Sequence, residues 1–421
     1  MSSGYHKTVL KNGIRVISNR MPWVRSVSIG VWIDCGSRDE GREENGISHF
    51  IEHLLFKGTR KRSAREIALA LESVGGSLNA FTGREHTCYY AKVLEEHTEI
   101  ALEVISDILR NSLFRPADFR REKSVIIEEI MDTEDTPGEL VFDLFMQSMW
   151  GEHPLSRPIM GTSKSIPRIK RKQILDYFHK NYTYPRVVIA ACGRVDHREL
   201  VKNVERRFRF NRQDSGETSH QEDPVTFPAK KVTRRESAQT HVCLGVPSFS
   251  FTHPQKYAAL VLSNILGGGM SSRLFQRIRE KQGLAYNVYS FSDFFKDSGV
   301  FGVYLGTNQK RLLSALNSVS KELHLIKRNK ISSEEMEHAR YQLKGGLILG
   351  AESTAHQMNR LARHELFFQE HVSLDKSISF IDRVKAKDVM DVANQLLDPD
   401  KFCINVLGPV DKRILSRIDW R

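Results

Sequence analysis

Residues 45–59 read NGISHFIEHLLFKGT, and this stretch decides both the local structure and the chemistry. Its apolar residues recur at the spacing of one helical face: Ile47, Phe50, Ile51, Leu54 and Leu55. This spacing predicts an amphipathic helix. Either Asn45 or Ser48 could cap its N-terminus.

Two histidines lie four residues apart on this predicted helix. His49 and His53 would face the same way, one turn apart, and could bind a single cation. Glu52 would lie beside them, within reach of a water on that cation. A catalytic zinc site needs three protein ligands and one open position, so another segment must supply the third ligand.

A second predicted helix, REKSVIIEEIMDTE, offers three candidates for the third ligand. Glu122, Glu128 and Glu129 all qualify by residue type. Glu122 and Glu129 are seven apart and share one helix face, whereas Glu128 points elsewhere. The residues alone leave this choice open. The competing interpretation is a surface helix with solvated histidines.

The composition excludes several classes of protein. The chain has 421 residues, with 63 Lys and Arg against 51 Asp and Glu, a formal net charge of +12. No run approaches the roughly 18 apolar residues of a membrane span. The positive charges are scattered and no nucleic-acid-binding motif accompanies them, so we expect neither a nucleic-acid nor a membrane partner. Five distant cysteines without a CxxC pair indicate a reducing compartment.

The two halves of the sequence resemble each other, which indicates an internal duplication. Gly30 in VSIGVWID corresponds to Gly245 in HVCLGVPS, and Gly193 in IAACGRVD to Gly408 in INVLGPVD, each pair 215 residues apart. A polar, proline-closed segment, 211–228, separates the copies. We therefore predict two duplicated domains, 1–210 and 229–421, joined by this linker. Each would be α+β, an antiparallel-rich sheet covered by helices on one face.

Four segments together resemble the pitrilysin/insulinase family of zinc metallopeptidases, whose inverted zinc motif is HxxEH: HFIEHLLFKGT, GGSLNAFTGREHTCYY, IIEEI and GLAYNVYSF. The processing-peptidase branch is the most similar. The resemblance implies one Zn²⁺ per chain and places the third ligand 76 positions after His53, at Glu129. It also implies that Glu122 orients His49 or His53, and that Glu52 acts as the proton acceptor and donor.

The resemblance also suggests substrate contacts. Asn79, Ala80 and Phe81 match the strand whose edge pairs with an extended peptide, although an ordinary strand would look the same. Phe56 matches a pocket for the residue after the cleaved bond, or is simply core.

Four further residues match family positions outside the metal site. Glu139 and Asp143 match acids that hold a substrate arginine, and as surface acids they would be unremarkable. Arg279 and Tyr286 match a pair that assists at the oxyanion. Their alternative roles are a surface arginine and a half-buried tyrosine.

The second half lacks HxxEH and should not bind zinc, and its Gly267–Gly269 run resembles the glycine-rich loop of processing peptidases. Since single-chain relatives of the family are about twice as long, this chain resembles half of a clamshell that homodimerises, or pairs with a related subunit. We therefore expect a zinc endopeptidase acting on peptides or unfolded segments in an enclosed chamber. The alternative is a non-catalytic core or partner subunit. A bacterial cytoplasmic location is favoured over the mitochondrial matrix.

Overall fold

The computed structural model describes residues 4–209, 224–328 and 330–420. The chain forms two compact units. Unit 1 comprises Met1–Met131, Arg157–Gln221 and Leu349–His371, and unit 2 comprises Asp132–Ser156, Glu222–Ile348 and Val372–Arg421. Each unit therefore includes a segment from the other half of the sequence. Most of the predicted linker, 211–223, lies outside the described residues.

Eleven strands form the two sheets of the described chain. They are β1 Tyr5–Val9, β2 Arg15–Arg20, β3 Ser26–Ile33, β4 Ser77–Thr82, β5 Thr87–Leu94, β6 Val187–Gly193, β7 Ala229–Arg234, β8 Thr240–Ser248, β9 Ala285–Phe294, β10 Gly299–Thr307 and β11 Cys403–Gly408.

Thirteen α-helices accompany the sheets in the same residues. They are α1 Ile47–Leu55, α2 Ala64–Glu72, α3 Thr98–Asn111, α4 Pro116–Asp135, α5 Pro137–Trp150, α6 Arg171–Asn181, α7 His197–Arg207, α8 Lys256–Gly267, α9 Leu312–Arg328, α10 Ser333–Ala351, α11 Thr354–Phe368, α12 Leu374–Arg383 and α13 Ala386–Leu396. Across the described ranges, no helix is both long and apolar enough to cross a bilayer.

The two sheets share one connectivity. In unit 1 the strand order is β1-β2-β6-β3-β5-β4, and in unit 2 it is β7-β11-β8-β10-β9. Strand β2 runs parallel to β6, and β7 runs parallel to β11. All the other strand pairs are antiparallel. The α+β architecture of two duplicated domains is thus confirmed, and β1 is an addition to the first copy.

Helices cover both faces of each sheet. In unit 1, one face packs against α1 and α3, as expected, and in addition α11 packs its Met358 and Leu361 against Trp32 and Val188 on the opposite face. In unit 2, α5 packs against β8 and β11. The second cover is needed because strands such as β6 are buried at every residue, and a sheet with two apolar faces must have both protected from water.

The N-terminus of α1 is held by a carboxylate from an earlier loop. Neither Asn45 nor Ser48 caps the helix as expected, because the N-cap is Gly46, with φ of 96°. Instead, Glu40 accepts hydrogen bonds from the backbone N–H groups of Gly46, at 2.8 Å, and Ser48, at 2.9 Å. The Asn45 amide also donates to Glu40, at 3.2 Å.

Glu40 is 4% exposed, and this burial raises its pKa to about 7, although the hydrogen bonds from Ser48, Gly46 and Asn45 oppose the rise. The carboxylate thereby satisfies orphan N–H groups of a buried helix end that no local side chain reaches. The position of α1 therefore depends on a residue outside the helix.

Replacing Glu40 with Ala should destabilise unit 1, because buried N–H donors at the start of α1 would lose their acceptor. We expect the free energy of unfolding to fall by about 3 kcal/mol. Chemical denaturation measures this. Glu43→Ala, at an exposed position of the same loop, should change stability by less than about 0.5 kcal/mol. Equal effects of the two substitutions would contradict the role of Glu40.

Candidate metal centre

Helix α1 brings two imidazoles together. The rings of His49 and His53 have centroids 4.7 Å apart and an interplanar angle of 67°. The apolar face of α1 is buried in the core of unit 1, so the histidines occupy the remaining face. The predicted spacing of four residues thus places both rings side by side.

Helix α4 supplies the third candidate ligand. Glu129 Oε2 lies 3.8 Å from His49 Nε2 and 3.5 Å from His53 Nε2. One ligand atom from each of the three residues lies within 4.8 Å of the others, and the described residues contain no second such group. A tetrahedral cation with bonds of about 2.0–2.1 Å would separate its ligand atoms by about 3.3 Å. The two Glu129 distances are somewhat longer than this value.

The pKa values of all three candidate ligands are shifted by burial and by their mutual contacts. Burial, with a smaller contribution from His53, lowers the pKa of His49 to about 4, so this imidazole is neutral near pH 7. Burial alone would lower the pKa of His53, but hydrogen bonds to Glu129 and Glu122 outweigh it and raise the pKa. The pKa of Glu129 is lowered by its hydrogen bond to His53. His53 and Glu129 therefore stabilise a positive charge between them, whereas His49 stays neutral.

The three candidate ligands differ in exposure. The side chain of His49 is 10% exposed and that of His53 20%, whereas Glu129 is 44% exposed. The group is thus buried on the α1 side and open on the α4 side. A catalytic metal site needs such an open position, whereas a structural site is closed.

Glu122 contacts one of the two histidines. Its carboxylate is 1% exposed, accepts from His53 Nδ1 at 3.1 Å, and forms an ion pair with Lys57 Nζ at 2.9 Å. Of the two possibilities left open by the sequence, the structure places Glu122 against His53. An acceptor at Nδ1 keeps the proton there and leaves the Nε2 lone pair directed at the cation.

Glu52 lies on the same helix and makes no ligand contact in this group. Its Oε2 accepts a hydrogen bond of 2.5 Å from Thr82 Oγ1. Burial raises the pKa of Glu52, while Thr82 and the charge of His53 act in the opposite direction. A carboxyl group with a raised pKa that lies beside candidate metal ligands is suited to accept and donate a proton.

The other predicted residues of unit 1 lie on or near the sheet. Asn79, Ala80 and Phe81 belong to β4, which is an edge strand. Asn79 is exposed, and Phe81 packs edge-on against Trp32, with centroids 5.4 Å apart. Phe56 is half-buried at the end of α1 and packs against the core.

Four predicted residues belong to unit 2. Arg279 lies over the ring of Tyr286, 5.1 Å from its centroid, and Tyr286 is 72% exposed. Glu139 and Asp143 lie one turn apart on α5, Glu139 exposed and Asp143 half-buried. The structure thus brings Arg279 and Tyr286 into contact and places Glu139 and Asp143 one helical turn apart.

Three supporting residues were missed by the sequence analysis: Glu40, Lys57 and Thr82. Lys57 and Thr82 lie within the quoted motifs, but helical or strand spacing carries no information on which polar side chain another element will contact. Glu40 precedes the motif in an irregular loop. No sequence pattern would have found it.

Replacing Glu122 with Gln should weaken zinc binding about 10- to 100-fold, because His53 would lose the anionic partner that fixes its tautomer. Competition with a fluorescent zinc chelator measures the affinity. Glu128→Gln, at an exposed position of the same helix, is the matched control and should leave it unchanged. Unchanged affinity in Glu122→Gln would refute the orienting role.

Two family models match the sequence. The model described as Insulinase (Peptidase family M16) matches residues 15–163, and Peptidase M16 inactive domain matches residues 168–343. The resemblance found in the sequence motifs is thereby confirmed. The second match agrees with the lack of an HxxEH motif in that half.

Similar proteins cover nearly the whole chain. The uncharacterized zinc protease YmxG of Bacillus subtilis is 41% identical over 399 residues, which cover 95% of this chain and 97% of YmxG. An uncharacterized zinc protease of Streptomyces coelicolor is 39% identical over 426 residues, covering 98% of this chain and 91% of the relative.

Solved structures show the same fold. A protease from Helicobacter pylori has a TM-score of 0.90 at 22% identity and covers 97% of this chain and 100% of its own. A chain of Complex III2 from Candida albicans has a TM-score of 0.85 at 21% identity, covering 98% and 99%. Taken with the family models and the identity to YmxG, the chain belongs to the insulinase family of peptidases, peptidase family M16.

Proposed function

We propose that this protein is a zinc-dependent endopeptidase that hydrolyses peptides or unfolded polypeptide segments. The observation that carries the proposal is the convergence of His49, His53 and Glu129, whose ligand atoms lie within 4.8 Å of one another. Two imidazoles and a carboxylate suit zinc. The names of the relatives as zinc proteases support the same metal.

The chain's own residues divide the chemistry. Zinc bound by His49, His53 and Glu129 would act as a Lewis acid that polarises the scissile carbonyl and acidifies water. Glu52 accepts the proton of the attacking water and later delivers it to the leaving amine. Glu122 keeps His53 in the tautomer that binds through Nε2.

The substrate backbone pairs with β4. Support comes from the position of β4 at the edge of its sheet, where none of the described strands pairs with its outer side. An extended peptide can add a strand to such an edge. Asn79, Ala80 and Phe81 would then follow the substrate, and Phe56 would contact the residue after the cleaved bond.

Unit 2 contributes the remaining substrate contacts in an enclosed chamber made by two chains. Arg279 and Tyr286 are suitable donors to a developing oxyanion, and their mutual contact supports a joint role. Glu139 and Asp143, one turn apart, would hold a basic substrate residue. The two chains are identical, or the partner is a related subunit.

A non-catalytic core or partner subunit is the competing function. The Complex III2 chain shares the fold at 21% identity, which carries no argument about activity. A purely structural subunit has no use for three converging ligands, a carboxylate on the same helix and a buried acid that orients one histidine. These features favour the peptidase.

Removing the metal should abolish hydrolysis of an internally quenched fluorogenic peptide, and adding zinc should restore it. Glu52→Gln should lower kcat about 100- to 10,000-fold while zinc content stays at one per chain, since Glu52 is not a ligand. Glu72→Gln, at an exposed site on α2, serves as the control and should retain full activity. Activity indifferent to chelation and to Glu52→Gln would exclude a zinc peptidase.

Complementation tests the two-chain arrangement. If Arg279 and Tyr286 of one chain serve the Glu52 site of the other, mixing Arg279→Ala chains with Glu52→Gln chains should restore about a quarter of wild-type activity, because half of the chains pair as mixed dimers with one intact site. Mixed dimers that form, as shown by two different affinity tags, and recover no activity would contradict this arrangement.

A further inference from the structure

We propose that Thr82 is a positioning residue whose hydroxyl holds the Glu52 carboxylate in its working orientation, and that a buried contact to residues 36–38 keeps Thr82 in place. The inference rests on the proposed peptidase function. Its starting observation is the 2.5 Å hydrogen bond from Thr82 Oγ1 to Glu52 Oε2.

Glu52 needs an external partner because its own side chain does not define the direction of its carboxylate. The final torsion of a glutamate side chain is broad and roughly two-fold, so the two oxygens can rotate at little cost. In the described ranges, Thr82 is the one hydrogen-bond donor to Glu52. Proton transfer requires heavy-atom distances of about 2.6–3.2 Å, so an oxygen free to rotate would often be misplaced.

Thr82 is the last residue of β4, and the end of an edge strand would ordinarily be free to fray. Here the turn that follows is bound to the loop before α1. Ser37 N donates to Gly83 O at 3.1 Å, and Arg38 N donates to Arg84 O at 2.8 Å. These two backbone bonds tie the end of β4 to the loop.

The contact is too close for any side chain at position 36. A β-carbon on Gly36 would lie 2.5 Å from both Gly83 O and Arg84 O. The loop and the turn therefore pack backbone against backbone. Such packing leaves little room for one to slide along the other.

A buried ion pair reinforces the same contact. Arg38 Nη1 lies 2.8 Å from Glu85 Oε1, and the two side chains are 5% and 4% exposed. A buried pair contributes little net stability, but pulling its two charges apart in a low-dielectric region is costly. The pair thus penalises any movement of the turn away from the loop.

These contacts place Thr82 on a fixed support. The loop holds the turn through residues 36–38, and the same loop holds the start of α1 through Glu40. Thr82 and Glu52 are therefore positioned by one continuous segment, 36–48, from two sides. The hydrogen bond between them joins two elements whose separation is already set.

Thr82→Val, which preserves the shape of the side chain, tests the orienting role. We expect kcat for the fluorogenic peptide to fall about 10- to 100-fold, with KM and zinc content unchanged, because only the carboxylate is misplaced. Thr82→Ser keeps the hydroxyl and should restore kcat to within about threefold of wild type. Thr98→Val, which removes a hydroxyl at the start of α3 that donates to Glu95 O, is the control and should keep kcat.

A second readout needs no activity. In metal-free protein, Thr82→Val should lower the denaturation midpoint more in the wild-type background than in Glu52→Ala, because the second background lacks the acceptor. Equal shifts in both backgrounds would overturn the inference. So would an unchanged kcat in Thr82→Val, loss of zinc along with kcat, or failure of Thr82→Ser to restore activity.

The two proposals fail separately. Wild-type protein that binds zinc and hydrolyses no peptide overturns the peptidase function and with it the positioning of Glu52 for catalysis by Thr82, even where the denaturation midpoints reveal the hydrogen bond between the two residues. Active wild-type protein whose kcat survives Thr82→Val overturns the role of Thr82 alone.

Discussion

The arrangement of the candidate metal ligands His49, His53 and Glu129 depends on the burial of one side of α1. Five apolar side chains of this nine-residue helix are at most 1% exposed: Ile47, Phe50, Ile51, Leu54 and Leu55. Burying each stabilises the fold by about 1.5–3 kcal/mol, so the helix cannot rotate about its axis without a large loss. Because one face of the helix is fixed in the core, His49 and His53 must both project from the opposite face. The arrangement of the two histidines thus follows from hydrophobic packing.

The partners of α1 are arranged around this fixed helix. Glu129 reaches both imidazoles from α4, and Glu122, two turns earlier on the same helix, reaches the far side of His53. One helix therefore supplies both a candidate ligand and the acid that hydrogen-bonds another candidate ligand. All of these distances depend on how α1 and α4 pack against each other. The packing of the two helices therefore determines the geometry of the site.

Much of this could be predicted from the sequence, and the limits have physical reasons. The helix at Ile47–Leu55 and the joint face of His49 and His53 follow from spacing alone, because helical periodicity is local. The choice of Glu129 over Glu128 came from the family resemblance, and the structure brings Glu129 to the histidines. That Glu122 contacts His53, and that Glu40 holds the helix end, depends on contacts between distant segments. Periodicity does not encode such contacts.

The cover of the unit 1 sheet has a consequence for the order of events during synthesis. The strands and candidate metal ligands of unit 1 all lie before Arg209, but α11, which shields Trp32 and Val188, begins at Thr354. At about 5–20 residues per second, roughly 10 to 30 s separate the two. For that interval one apolar face of the sheet has no native cover. The nascent chain therefore exposes this apolar face of the sheet until α11 has been synthesised. A fragment ending after α7 would expose the same face permanently.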